Sequence, residues 1–382
     1  MIKIITIIGA RPQIIKAAAL SRAIKNKFKD TIQEIIVHTG QHYDNNMSQV
    51  FFDELNIPQP DFNLNIRSAS HGAQTAMMIS GIEQIINAEK PDCIVIYGDT
   101  NSTLAAAIAA AKIDIPIAHI EAGLRSYNKL MPEEINRIVS DHVSTLLFCP
   151  TTAAYENLKK EGFKDSNSPP YTINNPKVYH CGDVMYDNSI YFSKLAEGKN
   201  AILKENGLTS GQYILATVHR NHNTDDNLRL NSIFSAFRKL AKARKIVIPI
   251  HPRTLKQLEQ LPELYAAIKS EKNLILLPPA SFLEMICLEK SAALVITDSG
   301  GVQKEAFFFK KPCVILRTET EWVELIECGI SRLTDADEKK IIEAAEHFFN
   351  SKELNFPAIF GNGDAAEFIC SEILMNINKE CC

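Results

Sequence analysis

Short apolar runs alternate along the chain with longer segments of helical patterning. Ile4–Ile8 ends at Gly9-Ala10-Arg11-Pro12 and gives way to a helix from about Gln13, while Glu34–Val37 ends at Thr39-Gly40-Gln41-His42. Cys93–Tyr97 ends at Gly98-Asp99-Thr100, and an alanine-rich helix follows over Leu104–Lys112. Ile115–Ile120 runs into Glu121-Ala122-Gly123, and Leu146–Cys149 into Pro150-Thr151. These runs are mainly β-branched and lack apolar–polar alternation, so each predicts a strand buried on both faces. Strands of that kind, separated by helices, build a parallel sheet covered on both sides.

Polar, proline-rich sequence over residues 164–177, including Ser166-Asn167-Ser168-Pro169-Pro170, interrupts the rhythm and predicts a surface loop or linker. The alternation resumes with Tyr213–Val218, Lys245–Ile250, Asn273–Leu277, Ala293–Thr297 and Cys313–Leu316. A chain of 382 residues exceeds the usual size of one core. The expected fold class is α/β, with two Rossmann-like doubly wound domains facing across a cleft. The expected division is residues 1–184 and 185–364, and a last helix within 365–382 is open to packing on either domain.

Composition changes this picture little. Hydrophobic residues make up 46% of the sequence and charged residues 23%, ordinary for a globular protein with a sizeable core. A formal net charge of −4 supplies no basic field, and no local basic patch replaces it, so no nucleic-acid partner is expected. The nine cysteines are scattered without a CxxC pair, and Cys93, Cys149 and Cys313 sit inside apolar runs where a small buried hydrophobe is expected. Met1 leads directly into an apolar run without a basic leader, and no apolar stretch approaches the ~20 residues that cross a bilayer. The expectation is a cytoplasmic protein with no membrane partner.

Candidate chemistry gathers where ligands of doubly wound sheets bind, beyond the carboxyl ends of the strands. Turns alone account for Gly and Asn there, but not for repeated Asp, Glu, His and Arg directly after buried runs. Gly9-Ala10-Arg11-Pro12-Gln13-Ile14-Ile15-Lys16 opens a helix, and its exposed amides, with Arg11 and Lys16, favour an anion. Arg11 as a simple brace of the turn is the competing reading. Asp298-Ser299-Gly300-Gly301 follows a strand and precedes a helix carrying Glu305, so Ser299, Gly300 and Gly301 offer a phosphate cradle and Glu305 two acceptors for a ribose diol.

Carboxylates complete the set. Asp99, Glu121 and Glu133 follow different strands of the first domain, and Pro132 at a helix start puts Glu133 four residues before Arg137. Glu133 and Arg137 make either a surface ion pair or part of a shared site with Asp99 and Glu121. Grouped carboxylates push one pKa upward, as proton transfer at neutral pH requires. His219-Arg220 and His251-Pro252-Arg253 end strands of the second domain and suit a cationic or acid role towards a phosphate oxygen. No HExxH or tight Asp/His spacing supports a metal.

The motifs Gly9-Ala10-Arg11-Pro12, Gly98-Asp99-Thr100, His119-Ile120-Glu121-Ala122-Gly123-Leu124-Arg125, Pro132-Glu133-Glu134-Ile135-Asn136-Arg137, Val218-His219-Arg220 and Asp298-Ser299-Gly300-Gly301 with Glu305 resemble the non-hydrolysing UDP-N-acetylglucosamine 2-epimerases. The likeness covers essentially the whole chain. It implies a glycosyltransferase-B-like architecture, UDP held mainly by the C-terminal domain, a C-terminal helix crossing back to the N-terminal domain, and a homodimer. It also implies a UDP-sugar substrate that loses its C2 proton and then UDP, passing through a bound glycal before UDP returns and C2 is reprotonated on the opposite face. Asp99, Glu121 and Glu133 match the family's carboxylates, and His219 the histidine beside the leaving diphosphate. Arg11, Lys16 and Arg137 would offset charge, and Ser299, Gly300, Gly301 and Glu305 would hold UDP. Elimination, unlike oxidation, needs no NAD, so no cofactor is expected.

Two departures from the family pattern concern the substrate. Many members read Gly-Thr-Arg-Pro-Glu where this chain has Gly9-Ala10-Arg11-Pro12-Gln13, and many carry Arg-Pro where it has Trp322-Val323. Losing an Arg removes a bidentate donor and a fixed charge. Both variants resemble the branch that epimerises UDP-2,3-diacetamido-2,3-dideoxyglucuronate. Gln41-His42 and Arg67 lie in segments comparable to those with which some relatives bind a second UDP-sugar as activator. A glycosyltransferase, a hydrolysing epimerase and a non-catalytic nucleotide-sugar sensor are the competing classes.

Overall fold

A computed structural model describes residues 1–40, 57–67, 69–198, 201–351 and 353–377. Gln41 and His42 lie outside the described residues; Arg67 is exposed. The chain divides into two compact units, Met1–Ile190 with Ala358–Cys382, and Tyr191–Pro357.

In the first unit, β1 (Ile2–Ile8), β2 (Ile32–His38), β3 (Phe62–Asn63), β4 (Cys93–Tyr97), β5 (Ile117–Ile120), β6 (Leu146–Cys149) and β7 (Lys177–His180) form one sheet in the order β3-β2-β1-β4-β5-β6-β7. Every neighbouring pair is parallel. Crossover helices include α1 (Arg11–Ala23), α2 (His71–Glu89), α3 (Asn101–Lys112), α4 (Pro132–His142) and α5 (Thr152–Lys160), and α6 (Val184–Leu195) follows β7. On one face, Ile5, Ile7, Ile94 and Ile96 pack with Met78 and Ile82 of α2 and with buried alanines of α3. Each such isoleucine stabilises the fold by roughly 1.5–3 kcal/mol, and the alanines let α3 lie close against α2.

In the second unit, β8 (Tyr213–Thr217), β9 (Lys245–Pro249), β10 (Leu274–Leu277), β11 (Leu294–Thr297), β12 (Cys313–Ile315) and β13 (Ser331–Leu333) form a second parallel sheet in the order β10-β9-β8-β11-β12-β13. Its helices include α7 (Asn221–Thr224), α8 (Asn227–Ala241), α9 (Pro252–Glu259), α10 (Phe282–Ser291) and α11 (Gly300–Phe308). The pleat sorts consecutive residues into two cores. Ile214, Ala216, Ile246 and Ile296 join Ile233, Phe234 and Phe237 of α8. Tyr213, Leu215, Val247 and Val295 join Leu288 of α10 and Ala306 of α11.

Both sheets reverse winding direction at one place, between β1 and β4 and between β8 and β11. Such switch points open a crevice beyond the strand ends. The register Thr6↔Val95 and Tyr97↔Ile120 sets the residues after β1, β4 and β5 side by side. Thr217↔Thr297 does the same for the residues after β8 and β11, and the two threonine hydroxyls bond at 2.6 Å.

The strands predicted as apolar runs are all present. Three strands, β3, β7 and β13, were not expected, and all three are sheet edges. Lys177–His180 begins at the last residue of the segment read as a loop. Edge strands lack the double-sided burial that writes a continuous apolar run. The last helix among the described residues is α12 (Ala365–Asn376), which packs on α1. Asp187 of α6 accepts the Ala365 and Ala366 amides at 3.3 and 2.8 Å, and burial lifts its carboxyl to about 6. No helix among the described residues is long and apolar enough to cross a membrane.

Candidate active site

In the first unit the turn after β1 is organised by Gln13, which is 1% exposed. Its oxygen accepts the Gly9 and Ala10 amides at 3.0 and 3.1 Å, and its nitrogen donates to the Tyr97 carbonyl at 2.9 Å and the Thr103 hydroxyl at 3.0 Å. Two amides of this turn, those of Gly9 and Ala10, are therefore held by a side chain. A Cβ at Gly9 would overlap the Ser102 and Thr39 hydroxyls, so only glycine fits. Arg11 is exposed on the first turn of α1.

One turn further, Lys16 forms an ion pair with Glu121. Glu121 is 9% exposed and has φ +70°, a left-handed conformation rare for a non-glycine residue. Backbone strain of this kind, about 1–3 kcal/mol, persists where surrounding contacts fix it. The Glu121 amide is held by the Phe148 carbonyl at 3.0 Å. Gly98 (φ +62°) leaves room for the pair: a Cβ there would stand 3.1 Å from Glu121 Oε2 and 3.2 Å from Lys16 Nζ.

Asp99 completes the cluster through its ion pair with Arg137. Burial holds its carboxyl above the ordinary range, and the Glu121 charge adds to this, while Arg137 and Lys16 pull the other way. Asn136 donates to the Asp99 carbonyl at 2.9 Å. Asp99, Glu121, Lys16 and Arg137 are thus two carboxylates and two cations at one switch point. Glu133 is not drawn into this network. It is exposed, and Arg137 turns instead to Glu134, at 2.9 Å. The reason is helical phase: Glu134, Arg137 and Asp141 form the buried stripe of α4, and Glu133 falls outside it. Glu134 also accepts the Ser126 and Tyr127 amides at 2.9 and 2.8 Å; burial opposes ionisation, but these bonds and Arg137 hold its carboxyl below the usual range.

Behind the cluster lies a buried relay that the sequence did not reveal. His119 contacts Asp141 Oδ1 at 2.7 Å through Nδ1 and the Gly98 carbonyl at 2.8 Å through Nε2. Both partners are acceptors, so both ring nitrogens must carry hydrogen for both bonds to form. Asp141 also accepts the Gly123 amide at 3.1 Å and pairs with Arg125 at 2.7 Å. Arg125 in turn grips Glu161 with two bonds of 2.7 Å. The Gly98–Asp99 turn is thereby tied to the core beneath it.

In the second unit Asp298 is fully buried at the end of β11 and organises the switch point. It accepts the His219 amide at 3.1 Å, the Arg220 amide at 3.0 Å and the Asn223 side chain at 3.1 Å. The His219 ring projects beyond these bonds with Nδ1 3.4 Å from Asp298 Oδ1, and its side chain is 40% exposed. The His251 ring stands 6.0 Å from it. Burial, then the neighbouring His219 and Arg253, depress the His251 pKa. Arg253 forms its own salt bridge with Asp225 at 2.7 Å.

Ser299 caps α11, with Gly300 and Gly301 as its first two residues. A Cβ at Gly300 would press on the end of the Glu321 side chain. Burial opposes ionisation of Glu321, but Arg317, 2.8 Å away, keeps its carboxyl below the usual range. Trp322 is 4% exposed, and the Lys304 ammonium lies 4.1 Å from its ring centroid. A positive charge therefore stands against the Trp322 ring. Glu305 lies on α11 within hydrogen-bond reach of the buried Glu289. Asp141, Glu134, Glu289 and Lys304 carry no strand-end signal; each is a polar residue on the inward stripe of a helix, the one trace the sequence held.

A family model described as UDP-N-acetylglucosamine 2-epimerase matches residues 24–374. A Methanococcus maripaludis protein named UDP-N-acetylglucosamine 2-epimerase homolog is 49% identical, covering 98% of this chain and 100% of its own length. The Pseudomonas aeruginosa UDP-2,3-diacetamido-2,3-dideoxy-D-glucuronate 2-epimerase is 48% identical, over 96% of this chain and 98% of its own. Among solved structures, the Methanocaldococcus jannaschii UDP-GlcNAc 2-epimerase in complex with UDP-GlcNAc and UDP superposes with a TM-score of 0.83 at 40% identity, covering 98% of this chain and 99% of that one.

Proposed function

The chain belongs to the UDP-N-acetylglucosamine 2-epimerase family, and from that premise we propose that it inverts C2 of a UDP-linked 2-acetamido sugar, interconverting UDP-N-acetylglucosamine and UDP-N-acetylmannosamine. The observation that carries this reading is the raised carboxyl of Asp99 beside the Lys16–Glu121 pair at the β1/β4 switch point. A carboxylate with an elevated pKa, fixed by cations on either side, suits abstraction of a weakly acidic C–H proton.

In the proposed reaction a carboxylate takes the C2 proton, and the electron pair of that bond forms the C1–C2 double bond. The C1–oxygen bond breaks, its electrons leaving with UDP. UDP then re-adds through the same oxygen to C1 as a second acid delivers a proton to the other face of C2. Asp99, Glu121 and Glu133 supply the acid and base groups for the two faces. Glu133 stands on the exposed first turn of α4, next to Glu134, and joins the others once a sugar bridges the gap. His219 neutralises charge on the departing diphosphate, supported from behind by Asp298. Ser299, Gly300 and Gly301 receive the diphosphate at the start of α11, where amides and the helix dipole favour an anion. Glu305 accepts the ribose hydroxyls. Arg11, Lys16 and Arg137 balance charge around the sugar and phosphates.

Incubation with UDP-N-acetylglucosamine in D2O tests this reading. Deuterium at C2 together with the manno epimer is expected; recovery of unlabelled substrate alone excludes this sugar. A second reading keeps the chemistry but replaces the sugar with UDP-2,3-diacetamido-2,3-dideoxyglucuronate. It is favoured by the 48% identity to an enzyme named for that substrate. Parallel assays of the two sugars decide between them.

A further inference from the structure

Asn223, on α7, is a buried amide whose orientation is fixed from both sides. Its Nδ2 donates to Asp298 Oδ2 at 3.1 Å and to the Leu316 carbonyl at 3.0 Å. Its Oδ1 accepts from Arg229 Nη2 at 2.9 Å and from Nε at 3.2 Å. A guanidinium only donates, and a carboxylate or carbonyl only accepts, so these partners admit one placement of the amide and exclude the flipped one. Arg229 in turn reaches Asp335: Nη1 donates to Oδ2 at 3.1 Å, and Nη2 pairs with Oδ1. The Asp335 backbone is left-handed, φ +53°, with its amide on the Arg317 carbonyl at 3.2 Å. An unbroken series of bonds thus runs from Asp335 through Arg229 and Asn223 to Asp298, which holds the His219 and Arg220 amides. All of it lies within the second unit.

Helix stability does not explain Arg229. It is the third residue of α8, where the N-cap Asp226 accepts its amide at 3.2 Å. The helix dipole disfavours a cation in the first turn, yet the side chain is turned inward and only 17% exposed. We propose that Arg229 is a positioning residue: its guanidinium fork sets the Asn223 amide, Asn223 sets Asp298, and Asp298 aims the His219 ring at the departing diphosphate. The proposal rests on the reading of His219 as the group that neutralises that charge. Without the fork, the Asn223 oxygen loses both of its donors and the amide is free to turn. A turned amide presents oxygen to the Asp298 carboxylate, and two acceptors repel. Asp298 then no longer fixes the His219 turn. Lysine is no substitute, because a single ammonium cannot hold Asn223 and Asp335 together in one plane.

The experiment measures kcat on whichever of the two sugars the wild type epimerises, and UDP affinity by calorimetric titration. The variants are Arg229→Met, Arg229→Lys, His219→Ala, and Arg229→Met combined with His219→Ala. Arg229→Met and Arg229→Lys should each lower kcat by up to about 10²-fold, the cost of misplacing a reacting group by about 1 Å, while UDP affinity stays at the wild-type value. In the His219→Ala background Arg229→Met should cost no further turnover, because its effect passes through His219. An arginine that merely braces α8 would cost the same factor in both backgrounds, so equal losses overturn the proposal. So does a weakened UDP affinity with kcat unchanged. Wild-type kcat in Arg229→Lys overturns it as well, a result that stands even if Arg229→Met fails to fold. His219→Ala separates the two levels: if it turns over as the wild type does, the reading of His219 itself fails, whereas a slow His219→Ala beside a normal Arg229→Met rejects only the positioning role.

Discussion

Gln13 joins the two central strands of the first sheet, its amide nitrogen donating to the Tyr97 carbonyl at 2.9 Å while its oxygen secures the Gly9 and Ala10 amides. A glutamate at this place matches the acceptor half of the arrangement but not the donor half. Gln13→Glu should therefore destabilise the protein by about 1–3 kcal/mol at pH 7, the cost of a buried polar group losing its partner, with recovery on acidification as the new carboxyl gains a proton. Urea denaturation at two pH values measures it. An unchanged midpoint at pH 7 would show that the Thr103 hydroxyl, 2.7 Å from the same carbonyl, satisfies Tyr97 unaided.

Asp99→Asn, Glu121→Gln and His219→Ala should each lower turnover by ~10²–10⁴-fold, the range of one lost acid–base group, while UDP affinity holds. Initial rates with isothermal titration separate the two effects, and near-normal turnover in any variant removes that residue from the chemistry. The raised Asp99 carboxyl also fixes a pH dependence. Activity that needs Asp99 ionised should fall on acidification through a pKa above the usual aspartate value. Arg137→Met removes a cation that opposes the rise, so the acid limb should move to higher pH; a shift the other way would contradict the assignment.

Lys304 and Trp322 form a cation–π contact in a nearly dry setting. A double-mutant cycle with Lys304→Met and Trp322→Leu should give a coupling of about 0.5–2 kcal/mol in denaturation free energy. Strictly additive losses would mean that the ring shields the ammonium without binding it.

Asp187, the cap of α12, has its carboxyl raised to about 6. Between the unfolded value, roughly 3.9, and this folded one, the native state holds the proton more firmly than the unfolded chain does. Stability contributed at this site is therefore present at low pH and lost as pH rises through the window, by at most about 3 kcal/mol. Other carboxylates superimpose their own slopes, so the measured quantity is the difference in unfolding free energy between wild type and Asp187→Asn from pH 4 to 7. A difference that is flat with pH would refute the assignment.

The interior strands were legible because each is buried on both faces and so reads as an uninterrupted apolar run; Cys93–Tyr97 and Tyr213–Thr217 are examples. Phe62–Asn63, Lys177–His180 and Ser331–Leu333 were not, since an edge needs only part of its surface covered. In the same way Asp99, Glu121, His219 and Ser299 stood out by following strands directly. Asp141 and Glu289 did not, because their partners are distant in sequence: His119 is 22 positions from Asp141. Glu133 shows the opposite limit. An i, i+4 spacing permits an ion pair with Arg137, but the buried stripe of α4 passes through Glu134, and the arginine follows the stripe.

The second sheet assigns Leu215 and Ala216, adjacent in the chain, to different cores, and Ala216 and Ile296, eighty positions apart, to the same one. A swollen side chain at Ala216 presses on its partner Ile296, two residues before Asp298 and the His219 turn, whereas one at Leu215 presses towards α10 and α11. Alternate positions of one strand therefore act as separate handles, one on the histidine and the other on the helix that carries the proposed nucleotide cradle.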